Sequence, residues 1–107
     1  MAANNFKLVI NNSISGTADT TINTAPVGST MVVHSLYLTN VGTTDSYANV
    51  TITDSSTSSD ARIAFNAPVP LGETLIFDKP INLESGDQIK VRGTDLHAVL
   101  SLLEITN

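Results

Sequence analysis

Apolar residues along this chain recur at every second position, the period of a β-strand and not of a helix. In Asn49–Asp54, Val50 and Ile52 share one side while Thr51 and Thr53 share the other. In Asp87–Arg92, Ile89 and Val91 alternate with Gln88, Lys90 and Arg92. One apolar and one polar side describe an antiparallel sheet with a single solvated face. The same rule predicts strands at about residues 6–14, 18–24, 30–40, 46–54, 61–66, 73–78, 80–84, 87–93 and 97–106. Between them stand turn signals: Ser15-Gly16, Pro26-Val27-Gly28, Val41-Gly42, Pro68 to Gly72, and Ser85-Gly86-Asp87. Short strands at regular spacing, with no helical window, predict an all-β fold. The expected architecture is a single antiparallel β-sandwich of jelly-roll or immunoglobulin-like strand order.

The last strand breaks the pattern. From His97 to Ile105, one side carries Val99, Leu103 and Ile105 and the other Ala98, Leu100 and Leu102. A strand apolar on both sides is covered on both sides. The core covers one; the other needs a loop of the same chain or a neighbouring subunit. His97, Val99, Leu100, Leu102 and Leu103 are therefore the candidate subunit-interface residues. Met31–Leu38 raises the same question more weakly.

At 107 residues the chain supports one domain. Residues 1–5 read as a flexible N-terminal segment and 6–107 as a single β-sandwich domain. There is no cysteine, which excludes disulfides and zinc–thiolate sites. The net charge is −5, and the five cations are spread along the sequence, so nucleic acid and anionic membranes are not expected partners. No apolar run reaches the roughly 20 residues that span a bilayer, and the first six residues predict no secretion signal. Without one, the N-x-S/T sequons at Asn11 and Asn49 read as chance in a chain rich in Asn, Ser and Thr. Only 14% of residues are charged, so the surface rests on Ser, Thr and Asn and is cheap to desolvate against a neighbour.

Candidate chemistry is sparse. The two histidines, His34 and His97, both fall inside predicted strands, and no hydrolase elbow, phosphate loop or zinc-protease motif occurs. The sequence predicts no enzyme and no cofactor. The run Asp54 to Asp60 is the low-complexity stretch and the candidate mobile loop, with Asp54, Ser56, Ser58 and Asp60 as its polar residues. Its two aspartates suit Ca²⁺ by type but lack the spacing of a calcium loop. The five aromatic residues are mostly expected in the core, which leaves little for a sugar-stacking surface.

The segment Pro68–Val91 has the pattern P-x-P-x-G, a polar residue, an apolar strand, then x-P-apolar-x-L-x-x-G-D-x-apolar. With His34–Gly42, Ala48–Asp54 and Ser101–Thr106, it resembles small bacteriophage virion structural proteins, in particular capsid decoration (cement) proteins. The resemblance implies a protein made in the host cytoplasm during assembly and resident in the virion. Its partners would be itself, as a homotrimer, and the phage major capsid protein or neighbouring virion proteins. A neck, collar, tail or fibre-attachment component is the alternative within that class. A carbohydrate- or receptor-binding β-sandwich module is the alternative outside it.

Overall fold

Alternation along the chain becomes two antiparallel sheets. The computed structural model describes residues 3–106. Among them the strands are β1 (Ala3–Asn11), β2 (Thr20–Thr24), β3 (Ser29–Asn40), β4 (Ser46–Asp54), β5 (Ser59–Val69), β6 (Thr74–Phe77), β7 (Ile81–Leu83), β8 (Gln88–Arg92) and β9 (Leu96–Thr106). One sheet has the order β1-β9-β3-β6, with β7 also on β3; the other has the order β2-β8-β4-β5. β6 faces Leu36–Thr39 and β7 faces Met31–Val33, so the two lie end to end along one edge of β3. Pro80 stands between them, where a missing N–H interrupts a ladder. Counted as one interrupted strand, β6 and β7 make each sheet four strands wide. Apart from that interruption, the chain changes sheet at every connection except the β4–β5 hairpin. This is a jelly roll, which decides between the two sandwich orders that alternation leaves open.

The register shows how the core is built. Across the first sheet, Val9, Leu100, Leu36 and Phe77 form one inward row, and Asn11, Ala98, Leu38 and Leu75 another. The second sheet meets them with Val50, Ile89 and Val91, all fully buried. Toward one end the inward row becomes Asn5, Glu104, Met31 and Leu83. Glu104 is only 7% exposed there, and Lys7 Nζ sits 2.8 Å from its Oε1. Without that partner the carboxylate would be a desolvated, uncompensated charge. At the opposite end the buried Asn40 donates to the carbonyls of Thr44 and Val69 and accepts from the Gly42 amide. It ties the β3–β4 turn to the end of β5.

Three boundaries lie three residues from the sequence expectation, each for a local reason. β1 begins at Ala3, because Ala3, Asn4 and Asn5 pair with Thr106, Ile105 and Glu104. Those three residues, expected in a free segment, belong to the sheet; Met1 and Ala2 lie outside the described residues. β1 ends at Asn11, whose Oδ1 accepts the Ser13 amide and turns the chain. β5 runs to Val69 through two register shifts against β4, with Asn66 at a φ of 50°. As an edge strand it tolerates both the bulges and Pro68. Gly93 closes the β8 turn tightly: a Cβ there would lie 2.7 Å from the Tyr47 carbonyl oxygen.

Leu100 is 1% exposed in this core. Leu100→Asp should abolish the fold, a loss above about 4 kcal/mol. Leu8→Lys, on the outer side of the edge strand, should keep the fold and lose far less than that. Circular dichroism melts of the two variants check this contrast.

Candidate assembly interface

The outer side of the β1-β9-β3-β6 sheet is uncharged, with apolar residues set among Thr30, Thr39, Thr74, Ser101 and the two histidines. Ile10, Val99, Tyr37 and Ile76 form one outward row across four strands. Phe6, Leu103 and Val32 form a second. On β1, Phe6 is 81% exposed, Leu8 64% and Ile10 65%. Tyr37 and Ile76 add to the exposed set, while Val32, Val99, Leu103 and Ile105 are half-buried among them. Among the described residues, no Asp, Glu, Lys or Arg side chain occupies an outward position on these strands. At roughly 200 Å² for a fully exposed large side chain, the five exposed apolar residues leave on the order of 600 Å². That is at the upper end of what a monomer's largest apolar patch leaves in water.

The sequence-predicted interface residues divide between the two sides of β9. His97, Val99 and Leu103 lie on the open face. Leu100 and Leu102 are each 1% exposed within this chain's own core, and so are corrected out of the interface set. Their side of the strand is covered by the opposite sheet, which leaves the Val99 side to be covered by something else. Phe6, Leu8, Ile10 and Ile76 escaped sequence reasoning, although Phe6-x-Leu8-x-Ile10 alternates as cleanly as any core strand. Lys7 would mark the wet side of that strand by the ordinary rule, yet Lys7 is the residue turned inward, to Glu104. The aromatic expectation also needs correction. Phe6, Phe65, Tyr37 and Tyr47 are all exposed, and only Phe77 packs against the core.

Both histidines sit on the open face. His34 occupies the β3 irregularity between Val33 and Ser35, and its ring stacks on Phe6 with centroids 6.2 Å apart. His97 is exposed opposite Thr39. Among the described residues neither makes an ion pair with a carboxylate, the partner that acid–base chemistry needs.

The outer side of the other sheet carries charged and polar side chains, with the exposed Tyr47 and Phe65 among them. Lys90 and Arg62 flank Thr51 in the register, and Arg92 lies opposite Asn49. Three of the five cations thus gather on one face, a clustering invisible in sequence order. The buried Asn49 organises it: its Oδ1 accepts from the Asn66 amide at 3.0 Å and from Arg62 Nη1 at 3.3 Å. Its Nδ2 donates to Asn66 Oδ1, so both ends of the sequon amide are engaged inside the fold. Arg62 also lies 4.8 Å over the Phe65 ring. Beside this network Tyr47, Asn66, Arg92 and Thr94 line a polar hollow of about 360 Å³.

The candidate loop 54–60 is a hydrogen-bonded hairpin tip. Asp54 Oδ1 accepts from the Ser56 amide at 3.0 Å and its hydroxyl at 2.7 Å. The Ser56 hydroxyl first, then its amide, holds the Asp54 carboxyl below the usual carboxylate range. Asp60 Oδ1 accepts from the Thr53 hydroxyl, and Ser58 takes a left-handed φ of 53°. Asp87 reaches in from the β7–β8 turn: Oδ1 accepts from the Ser55 amide at 2.9 Å, and Oδ2 from the Glu84 amide at 2.9 Å. The carboxylates here satisfy the backbone of the turns. Among the described residues no three His, Cys, Asp or Glu side chains gather in a way that would hold a metal ion.

No family model and no curated protein matches the sequence. Solved structures do match the fold. A chain in the structure of the Gx strain of infectious bursal disease virus superposes with a TM-score of 0.59 at 9% identity, over 99% of this chain and 33% of that one. A chain of the T13 particle of the same virus gives 0.56 at 14% identity, over 96% and 31%. A chain in the acidic stable capsid structure of Helicobacter pylori bacteriophage KHP30 gives 0.59 at 12% identity, over 98% and 93%. The chain therefore spans about a third of the two bursal disease virus chains and nearly all of the phage chain. At these identities the likeness is one of fold.

The Asp87 bracket is testable apart from any function. Asn at position 87 would keep one acceptor and turn an amide N–H toward a backbone donor. Asp87→Asn should cost about 2 kcal/mol, read as a lowered urea midpoint. The sign with pH follows from Asp54, whose lowered pKa makes its contribution complete above the ordinary carboxylate range. That contribution is lost as pH falls through the depressed value.

Proposed function

We propose that this protein is a structural component of a virus particle, and specifically a decoration (cement) protein of a bacteriophage head. In this reading it forms a small homo-oligomer, a trimer, and bridges adjacent major capsid subunits. The observation that carries the reading is the uncharged apolar outer face of the first sheet, which a free domain has no use for and an assembling one requires. The jelly roll, shared with chains in the structures of infectious bursal disease virus and of a bacteriophage capsid, supports it, as does the near-complete coverage of the KHP30 chain. A symmetric oligomer adds avidity, because each modest contact with the shell is multiplied by the number of copies held together. The working location is the virion, after synthesis in the host cytoplasm.

Catalysis finds no support in the site, since both histidines lie on an open apolar face away from carboxylates. A receptor- or carbohydrate-binding role has one specific observation in its favour: exposed Tyr47 beside Arg92 and Asn66 in the polar hollow. Glycan-array binding lost in Tyr47→Ala would favour it over decoration.

Quantitative mass spectrometry of purified phage particles tests the main reading. A copy number equal to the major capsid protein, or a simple fraction of it, is the expected result. A handful of copies per particle would move the protein to the neck or tail. Absence from the particle would remove the virion role.

A further inference from the structure

We infer that the outer face of the β1-β9-β3-β6 sheet is buried against further copies of this same chain, with the β1 ridge of Phe6, Leu8 and Ile10 as its anchor. This deepens the assembly reading above by naming the occupant of the face, and rests on that reading only for the premise that the face is covered.

Three features of the face identify the occupant. The first is extent. The exposed side chains supply on the order of 600 Å². With the half-buried Val32, Val99, Leu103 and Ile105 the face approaches the roughly 800 Å² per partner that a stable dimer contact needs. The second is composition. A face without Asp, Glu, Lys or Arg, with His34 and His97 among aliphatic and aromatic side chains, has the charge depletion of an interface core, and contacts between identical subunits are the more apolar class. The third is electrostatic. Each copy carries a net charge of −5, so copies repel in general, yet this face contributes none of that charge. Nearby charges lie at the rim, with Asp78 and Lys79 in the β6–β7 connection. Copies can therefore meet here without placing a carboxylate against a carboxylate.

The cover does not come from the chain itself. Phe6, Leu8 and Ile10 remain 64–81% exposed with every described segment in place. At the β6–β7 edge, Ile63, Ile76, Pro80 and Ile81 line a groove of about 320 Å³ together with the charged Asp78 and Lys79. A neighbour seated on the face would have its margin against that groove.

Sedimentation equilibrium of the purified full chain, with light scattering at high micromolar concentration, reads the proposal directly. Wild type should show a mass at least twice 11.3 kDa, at a whole number of chains. The double variant Leu8→Lys/Ile10→Lys should shift to a single 11.3 kDa species, with its strand circular dichroism and cooperative melt retained. Thr53→Lys, on the polar sheet, should leave the wild-type mass unchanged. If the double variant fails to fold, the milder Leu8→Ser should still weaken self-association at least tenfold. A wild-type monomer at these concentrations would overturn the proposal, leaving the copy number in particles to judge the virion role by itself. An oligomer of unchanged mass in folded Leu8→Lys/Ile10→Lys would overturn it too, because the contact would then lie elsewhere.

Discussion

A sandwich of two sheets has four faces, and its core hides two. The distinctive features of this chain follow from how it treats the remaining pair. On the β2-β8-β4-β5 sheet the outer positions are the ordinary ones, with Gln88, Lys90 and Arg92 alternating against the buried Ile89 and Val91. On the other sheet the same alternation has an apolar residue on each side. Val99 and Leu103 face out from β9 while Ala98, Leu100 and Leu102 face in. β9 is flanked by β1 and β3, so its outer side lies in the middle of that face. An uncovered face of this kind carries a hydrophobic cost that packing inside the sandwich cannot relieve.

The distribution of charge is the complement of that choice. With 14% of residues charged, the chain has little charge to place, and much of it serves the backbone. Asp54, Asp87 and Asp45 each accept from main-chain amides at turns, and Lys7 is held on Glu104. Arg62, Lys90 and Arg92 stand together on the polar sheet. Solubilising charge is thus concentrated at the turns, the rim and one face. The two outer faces are chemically unlike, and an object of that kind has a direction in an assembly.

How far the sequence foretold this can be judged residue by residue. Period-two alternation and turn signals such as Gly86, at a φ of +84°, carried the strand count and most boundaries. They carried the doubled apolar character of β9 as well. They did not carry which side of β9 was the core side, because alternation separates two faces without labelling either. Labelling depends on pairings such as Phe6 with Leu103 and Tyr37 with Val99, which no local window contains. The same limit hid the cluster of Arg62 with Lys90 across Thr51, and the inward turn of Lys7. Local chemistry is written locally; face identity belongs to the register.

Fold likeness alone cannot carry a function here. Identities of 9–14% with TM-scores near 0.6 show that many sequences satisfy the jelly roll, since it asks for little beyond alternation and turns in the right order. What the fold does not ask for is a clean apolar edge strand. A free protein usually guards such an edge with an outward lysine, a proline or a bulge. β5, the edge of the polar sheet, has both Pro68 and register shifts. β1 pairs with β9 over nine residues without a shift, and its lysine is turned away from the open face. The β1 edge keeps one guard, the inward Lys7, while its outward side chains Phe6, Leu8 and Ile10 are apolar and exposed. The difference between the edges lies in their outward side chains, and Phe6, Leu8 and Ile10 are where this sheet meets water at the greatest hydrophobic cost.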